Sequence, residues 1–292
     1  MDRRRFLATA GAAAAGVGLG MQGAWGEPHR LEVTRHEIRP PSPPSARSVP
    51  LTVAQITDLH LNGLGEVHRR LARAVAEARP DLVLLTGDSV DREDALPLLD
   101  GFLAMLDPVV PKHAILGNWE HWSGVDRREL ARVYARWNAR LLVNETAVVR
   151  LRGRTLAVTG LDDATGGHPD LGAALRGVEP GPAHLLLAHS PGFRDLLAAA
   201  AGELRVGDTV LRPGVDLAAY RFMAMISGHT HGGQVAFGGW APVLPPGSGR
   251  YARGWYRDGA GPPLYVSRGI GTSVLPVRLG SVPELAVFTV RV

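Results

Sequence analysis

The sequence of 292 residues predicts an α/β fold, a four-layer α-β-β-α sandwich of two mixed sheets. Three observations carry that reading. Short apolar runs alternate with helix-period segments through the first half, as βαβ units do. The second half is richer in strands than in helices. Small polar clusters follow directly on apolar runs, at the strand C-termini where open α/β sheets place their ligands. The two halves are therefore expected to pack face to face, helices outside, with the clusters meeting at one end.

Residues 1–26 stand apart from the fold. Asp2-Arg3-Arg4-Arg5-Phe6-Leu7 precedes a weakly apolar Ala/Gly stretch to about Met21, and this resembles a twin-arginine export signal. That stretch has too little hydrophobicity for a spanning helix, and no later stretch is long and apolar enough. The signal implies use of the twin-arginine export machinery and a destination in the periplasm or cell envelope. Residues 27–50 make an edge strand (Leu31–Ile38) and a lead-in with five prolines over 40–50. One domain is expected over 51–292.

Within it, Leu51–Ile56 is a short buried-type strand. Val67, Leu71, Val75 and Ala78 repeat at helical spacing, so Glu66–Arg79 is a helix that Pro80 stops. Leu82–Leu85 is a strand, residues 92–106 a helix, Val109–Leu116 a strand and Asp126–Trp137 a helix. Val148–Leu151 and Thr155–Gly160 flank Arg152-Gly153-Arg154 as a hairpin. His184–Ala188 is a strand and Phe193–Ala201 a helix. Residues 203–220 are an insertion with room for a hairpin. Phe222–Ile226, Gln234–Phe237, Leu264–Ser267 and Glu284–Val290 are strands that complete the sheets.

Composition excludes several classes. There is no cysteine, so disulfides, iron–sulfur clusters and thiolate zinc sites are ruled out; a metal must sit on His, Asp, Glu or Asn. Net charge is +4, without a Lys/Arg run past the N-terminus, so no nucleic-acid-binding surface is evident. Without residues 1–26 the charge is +2, too small to argue for a membrane surface. Trp240, Trp255 and Tyr256 are the aromatic residues such a surface would need, and they are expected instead in the core or a pocket wall.

The clusters are, in order, Asp58-x-His60, Gly87-Asp88-x-x-Asp91, Gly117-Asn118, His189 and Gly228-His229-x-His231. Each alone fits a turn or helix cap. Together they supply carboxylate, amide and imidazole donors from five strand ends. Two divalent metal ions clamp a phosphoryl group and ionise a water between them. They need a carboxylate able to bridge, and Asp88 has that capacity. Two ions, Asp58, Asp88 and a hydroxide leave a net charge of about +1, suited to an anionic phosphate. Asp91 is expected to orient a ligand or cap a helix. His113 and His184 lie within strands and are expected to be structural.

The order D-x-H, G-D-x-x-D, G-N, H and G-H-x-H resembles the calcineurin-like metallophosphoesterases, over residues 51 to about 240. Gly228-His229-Thr230-His231-Gly232-Gly233-Gln234 and Ser267-Arg268-Gly269-Ile270-Gly271-Thr272-Ser273 look like its exported phosphodiesterase or phosphohydrolase branch. The resemblance implies one ion on Asp58, His60, Asp88 and His231, and another on Asp88, Asn118, His189 and His229. Mixed Asp/Asn/His ligands accept Mn, Fe or Zn. It also implies hydrolysis of phosphoesters, diesters foremost, by a metal-activated hydroxide, with an envelope lipid or wall component among the substrates considered.

One position departs from the pattern. Trp119 stands where the family has a histidine that assists the leaving group. His121, two residues on, is the expected substitute; were 118–121 extended, positions 119 and 121 would share a side. The catalytic candidates are thus Asp88, Asn118 and His121. Two other readings compete: a pyrophosphatase acting on a UDP-linked diacylated sugar, and a metal-binding envelope protein whose catalysis is weak because of Trp119.

Overall fold

Alternation along the strands builds two faces on each sheet. In Pro50–Ile56 (β2), Leu51 and Val53 point to one core, Ala54 and Ile56 to another. Leu82–Thr86 (β3) repeats this, with Leu82 and Leu84 against Val83 and Leu85. This period of two places one apolar layer between the sheets and one beneath the helices. The computed structural model describes residues 26–40, 50–199, 204–206, 209–211, 219–237, 240–259 and 261–292. The expected export signal therefore lies, apart from Gly26, outside the described residues, as does most of the Pro-rich lead-in.

The first sheet runs β1-β14-β2-β3-β4-β5. Its further members are Glu32–Ile38 (β1), Lys112–Ile115 (β4), Ala139–Leu141 (β5) and Glu284–Arg291 (β14). β2, β3, β4 and β5 are parallel; β14 is antiparallel to β2 and parallel to β1. The second sheet runs β12-β13-β11-β8-β7-β6. It comprises Glu145–Leu151 (β6), Arg154–Gly160 (β7), His184–Leu187 (β8), Ala224–Ser227 (β11), Gly254–Tyr256 (β12) and Leu264–Val266 (β13). β7, β8, β11 and β13 are parallel, with antiparallel partners at both edges. Both sheets are mixed, and Leu51, Leu84, Ile115, Val158, Leu187, Ile226 and Phe288 fill the space between them.

Helices cover the outer faces. Glu66–Ala78 (α1), Leu96–Leu103 (α2) and Arg127–Arg136 (α4) bury Leu71, Val75, Leu99, Phe102, Leu130 and Val133 against the first sheet. α1 ends because Arg79 takes a left-handed conformation (φ 47°) and Pro80 cannot continue it. The Asp126 carboxylate caps α4 by accepting from the Arg128 and Glu129 N–H groups. Leu171–Ala174 (α5) and Phe193–Ala199 (α6) cover the second sheet with Leu171, Leu175 and Phe193. The insertion holds a short antiparallel pair, Leu204–Val206 (β9) and Thr209–Leu211 (β10). A further helix, Asn118–Trp122 (α3), opens at the site.

Two strand expectations need correction. β4 begins at Lys112 rather than Val109, because the preceding loop wraps the Lys112 ammonium. That buried group donates to the carbonyls of Asp107, Val110 and Trp137 at 2.8, 2.8 and 3.0 Å. Gln234–Phe237 carries isolated bridges only, Val235 to Leu279 and Phe237 to Trp240. Gln234 turns the chain there at φ 56°, its side-chain amide occupied by Ser273 and Leu275.

Candidate metal centre

β2, β3 and β4 of one sheet and β8 and β11 of the other end side by side. Their next residues are the polar clusters. Asp58, His60 and His231 bring one donor atom each within 4.8 Å of one another, and Asp88, His189 and His229 do the same. All six are buried. Asp88 lies between the sets: its Oδ2 is 3.6 Å from His60 Nε2 and 3.1 Å from His189 Nε2. Asn118 joins the second set, its Oδ1 2.8 Å from His229 Nδ1.

The chain reverses within these ligand-bearing residues. Asp58 (φ 53°), His60 (44°), Asp88 (52°), His229 (74°) and His231 (50°) all take the left-handed conformation. For a residue with a Cβ this costs about 1–2 kcal/mol. The glycines before Asn118 and His229 serve a different need. A Cβ on Gly117 would meet Asp88 Oδ1 at 2.2 Å, and one on Gly228 would meet Thr57 Oγ1 at 2.1 Å. Those strand ends approach so closely that only glycine leaves room.

The hydrogen bonds test whether this pocket fits cations. His60 Nδ1 donates to Asp91 Oδ1 at 2.5 Å, His189 Nδ1 to the Thr86 carbonyl at 2.8 Å, and His229 Nε2 to the Pro246 carbonyl at 2.6 Å. Each partner only accepts, so each outer nitrogen carries the proton. With the rings neutral, the form that binds metal, the inner nitrogens present lone pairs to other acceptors: His189 Nε2 to Asp88, His229 Nδ1 to Asn118 Oδ1. His189 Nε2 is buried and has no hydrogen-bond partner. Lone pairs facing across 2.8–3.6 Å in a buried pocket are satisfied by cations. Oxygen and imidazole donors in two adjacent sets are the arrangement of a dinuclear divalent centre.

A profile of the calcineurin-like phosphoesterases matches residues 51–233, more than half of the chain. The chain belongs to this family. It is a metal-dependent phosphoesterase. The uncharacterized metallophosphoesterase YkuE of Bacillus subtilis (strain 168) is 29% identical over 100% of this chain and 98% of its own length. Phosphodiesterase YaeI of Escherichia coli (strain K12) is 27% identical, covering 98% of this chain and 97% of its own. Among solved structures, a 5'-nucleotidase precursor from Thermus thermophilus aligns with 82% of this chain and 55% of its own, at 17% identity and a TM-score of 0.44.

Around the phosphoesterase centre, Asp91 orients His60 rather than capping a helix. His113 and His184 sit within strands away from it, and burial pushes each down to about 4. The segment 118–121 is not extended: it opens α3. Asn118 and His121 are therefore three residues apart on one helix face, while Trp119 and His121 diverge. The Trp119 ring stands edge-on to His60 at 5.9 Å and contacts Trp122 at 5.8 Å, so it walls the first set. His121 Nε2 lies 2.6 Å from Asp162 Oδ1. That carboxylate raises the imidazole above its ordinary value, more than partial burial lowers it.

Three supports escaped the sequence reading. The buried Glu120 carboxylate accepts from the N–H groups of Asp88, Ser89 and Gly117 at 3.1, 2.6 and 2.8 Å. It clamps the Asp88 turn to the start of α3, and burial, then the Asp88 charge, push it up to about 7. The spacing Gly117-x-x-Glu120 is a capping signal that could have found it. Asp163, also buried, accepts from Ser190 Oγ, Thr165 and Gly166, which fixes the turn beside His189. Arg278 is fully buried and donates to the carbonyls of Arg268, Gly271 and Ser281. Burial lowers it to about 10. Neither of these two has a local sequence signal.

Proposed function

We propose that this phosphoesterase hydrolyses phosphodiesters outside the cytoplasm. The observation that carries the reaction class is Asp88, whose carboxylate stands between two buried histidine-bearing sets. Divalent ions bound there supply Lewis acidity and ionise a water at neutral pH. Asn118 and His229 orient one set, and Asp91 fixes His60 in the other. His121, held by Asp162 on the same helix face as Asn118, gives its proton to the departing oxygen and substitutes for the histidine that Trp119 displaces. The diester preference is supported by the likeness to a phosphodiesterase along nearly the whole chain. Export by the twin-arginine route, to the periplasm or envelope, is supported by Arg3-Arg4-Arg5-Phe6-Leu7. Substrates there include lipid head groups and wall phosphopolymers.

The test uses the purified chain loaded with Mn or Zn on matched aryl phosphodiesters and monoesters. Faster turnover of the diester is expected. Asp88→Asn should abolish turnover and lower metal content. Bound metal without turnover of any ester would overturn the enzymatic reading, and faster monoester turnover would overturn the diester preference. Reporter fusions to residues 1–26, with and without Arg4→Lys/Arg5→Lys, test export.

A further inference from the structure

Two loops beside the metal centre expose apolar side chains. Phe237, Trp240 and Val243 follow His231 and are 52, 67 and 74% exposed. Val274 and Leu275 follow β13 and are 87 and 63% exposed. The loops are joined: the Gln234 side chain bonds to Ser273 N and the Leu275 carbonyl, and Ala236 N bonds to the Leu279 carbonyl. Both are tied to candidate ligands. The first contains His231, and its Pro246 carbonyl holds His229. The second places Gly271 N on the Asp58 carbonyl. An exposed apolar patch at the rim of a catalytic site marks a contact surface.

Three features select what covers it. No charged residue occurs between His231 and Arg250, or between Arg268 and Arg278. The tip backbones are paired internally: Phe237 and Trp240 exchange both N–H···O bonds at 2.9 and 3.0 Å, and Leu275 N and Val277 N bond within their own loop. Pairing of these groups lowers the cost of taking them into an apolar medium. One arginine stands at the foot of the loops: Arg253 donates to the Gly280 carbonyl between them. A loaded dinuclear centre adds positive charge below. Apolar, aromatic-tipped loops with an arginine at the foot match a bilayer with anionic head groups.

We propose that Phe237, Trp240, Val243, Val274 and Leu275 form a docking surface for an anionic phospholipid bilayer. Docking there presents phosphodiesters at head-group depth to the centre. This second step rests on the diesterase reading; the docking itself does not. Trp255 and Tyr256 take no part: Trp255 packs on His36, Tyr265 and Phe288, and Tyr256 on Tyr251.

Flotation of the full chain with phosphatidylglycerol/phosphatidylcholine vesicles tests it. Trp240→Ser and Leu275→Ser are made separately and together, with metal content and circular dichroism as folding controls. Wild type should float with the anionic vesicles, and the double variant should lose at least tenfold of that binding while keeping its metal. Equal flotation of wild type and folded variants, or no flotation of wild type, overturns the proposal. So does a wild-type dimer that the double variant converts to monomer, since a second copy would then cover the loops. Soluble aryl diester turnover by wild type, run in parallel, separates the two readings: loop-dependent flotation without turnover keeps the docking and removes the diesterase.

Discussion

Arg278 Nη2 lies 3.1 Å from His231 Nδ1, and a guanidinium can only donate. The outer nitrogen of His231 is therefore an acceptor, unlike those of His60, His189 and His229. Its ring proton sits on Nε2, 3.0 Å from His60 Nε2. Burial, with His60 and Arg278 nearby, keeps that ring well below its ordinary value, so it is neutral at pH 7.

The same arginine anchors the loop that reaches Asp58. Arg278→Met leaves the carbonyls of Arg268, Gly271 and Ser281 without their donor, at about 1–3 kcal/mol for each group left unsatisfied. Expected are a lower Tm and metal affinity in the first set reduced about 10–100-fold. Metal analysis after dialysis should then find one ion per chain in place of two. Retention of both would dismiss the role.

His121 should behave as an acid whose pKa Asp162 sets. The hydrogen bond to Asp162 raises it above its ordinary value, so its proton is held to higher pH than on a free imidazole and is lost as pH climbs past the raised value. The rate on poor leaving groups should fall along that alkaline limb. Asp162→Asn removes the cause and should move the limb to lower pH. His121→Ala should slow poor leaving groups by about 10²–10⁴-fold and activated ones far less. pH–rate profiles for both leaving-group classes decide; a limb unmoved in Asp162→Asn would dismiss the pair.

Glu120→Gln keeps the volume but removes a carboxylate that three N–H groups share. Hydrogen bonds to charged groups contribute about 1.5–3 kcal/mol each. A Tm drop of several degrees and a loss of metal are expected together, because the Asp88 turn loosens. A Tm drop with metal content unchanged would confine Glu120 to stability.

Chelation should destabilise the fold. Each ion bound at about a hundred times its Kd adds about 2.7 kcal/mol, and its removal leaves His189 Nε2 facing Asp88. Thermal scans with chelator and after return of Mn or Zn should show a fall and a recovery. A Tm indifferent to both would mean that the pocket holds no ion.

The sandwich was legible because burial on both faces gives continuous apolar runs such as Leu51–Ile56 and Leu82–Leu85, each with a polar cluster behind it. The grouping of Asp58, His60 and His231 apart from Asp88, His189 and His229 coincides with the two spatial sets. Short elements were not legible. α3 has five residues, too few for a helical period to show. The start of β4 was hidden because Val109 and Val110 extend the apolar run into a loop that wraps the buried Lys112. Contacts distant in sequence left no trace: His121 meets Asp162 forty-one positions on, and Arg278 meets His231 forty-seven positions back.

The left-handed backbone at Asp58, His60, Asp88, His229 and His231 bears on any attempt to make this protein more durable. Glycine at those positions would relieve the local tension, together on the order of 5 kcal/mol, a large share of what holds a domain folded. A heat-resistance screen blind to turnover is therefore drawn to the residues that define the centre. Its hardiest survivors would be intact sandwiches with nothing left to grip a metal. Variants meant to stay active are better sought along the outer helices, far from the reversals.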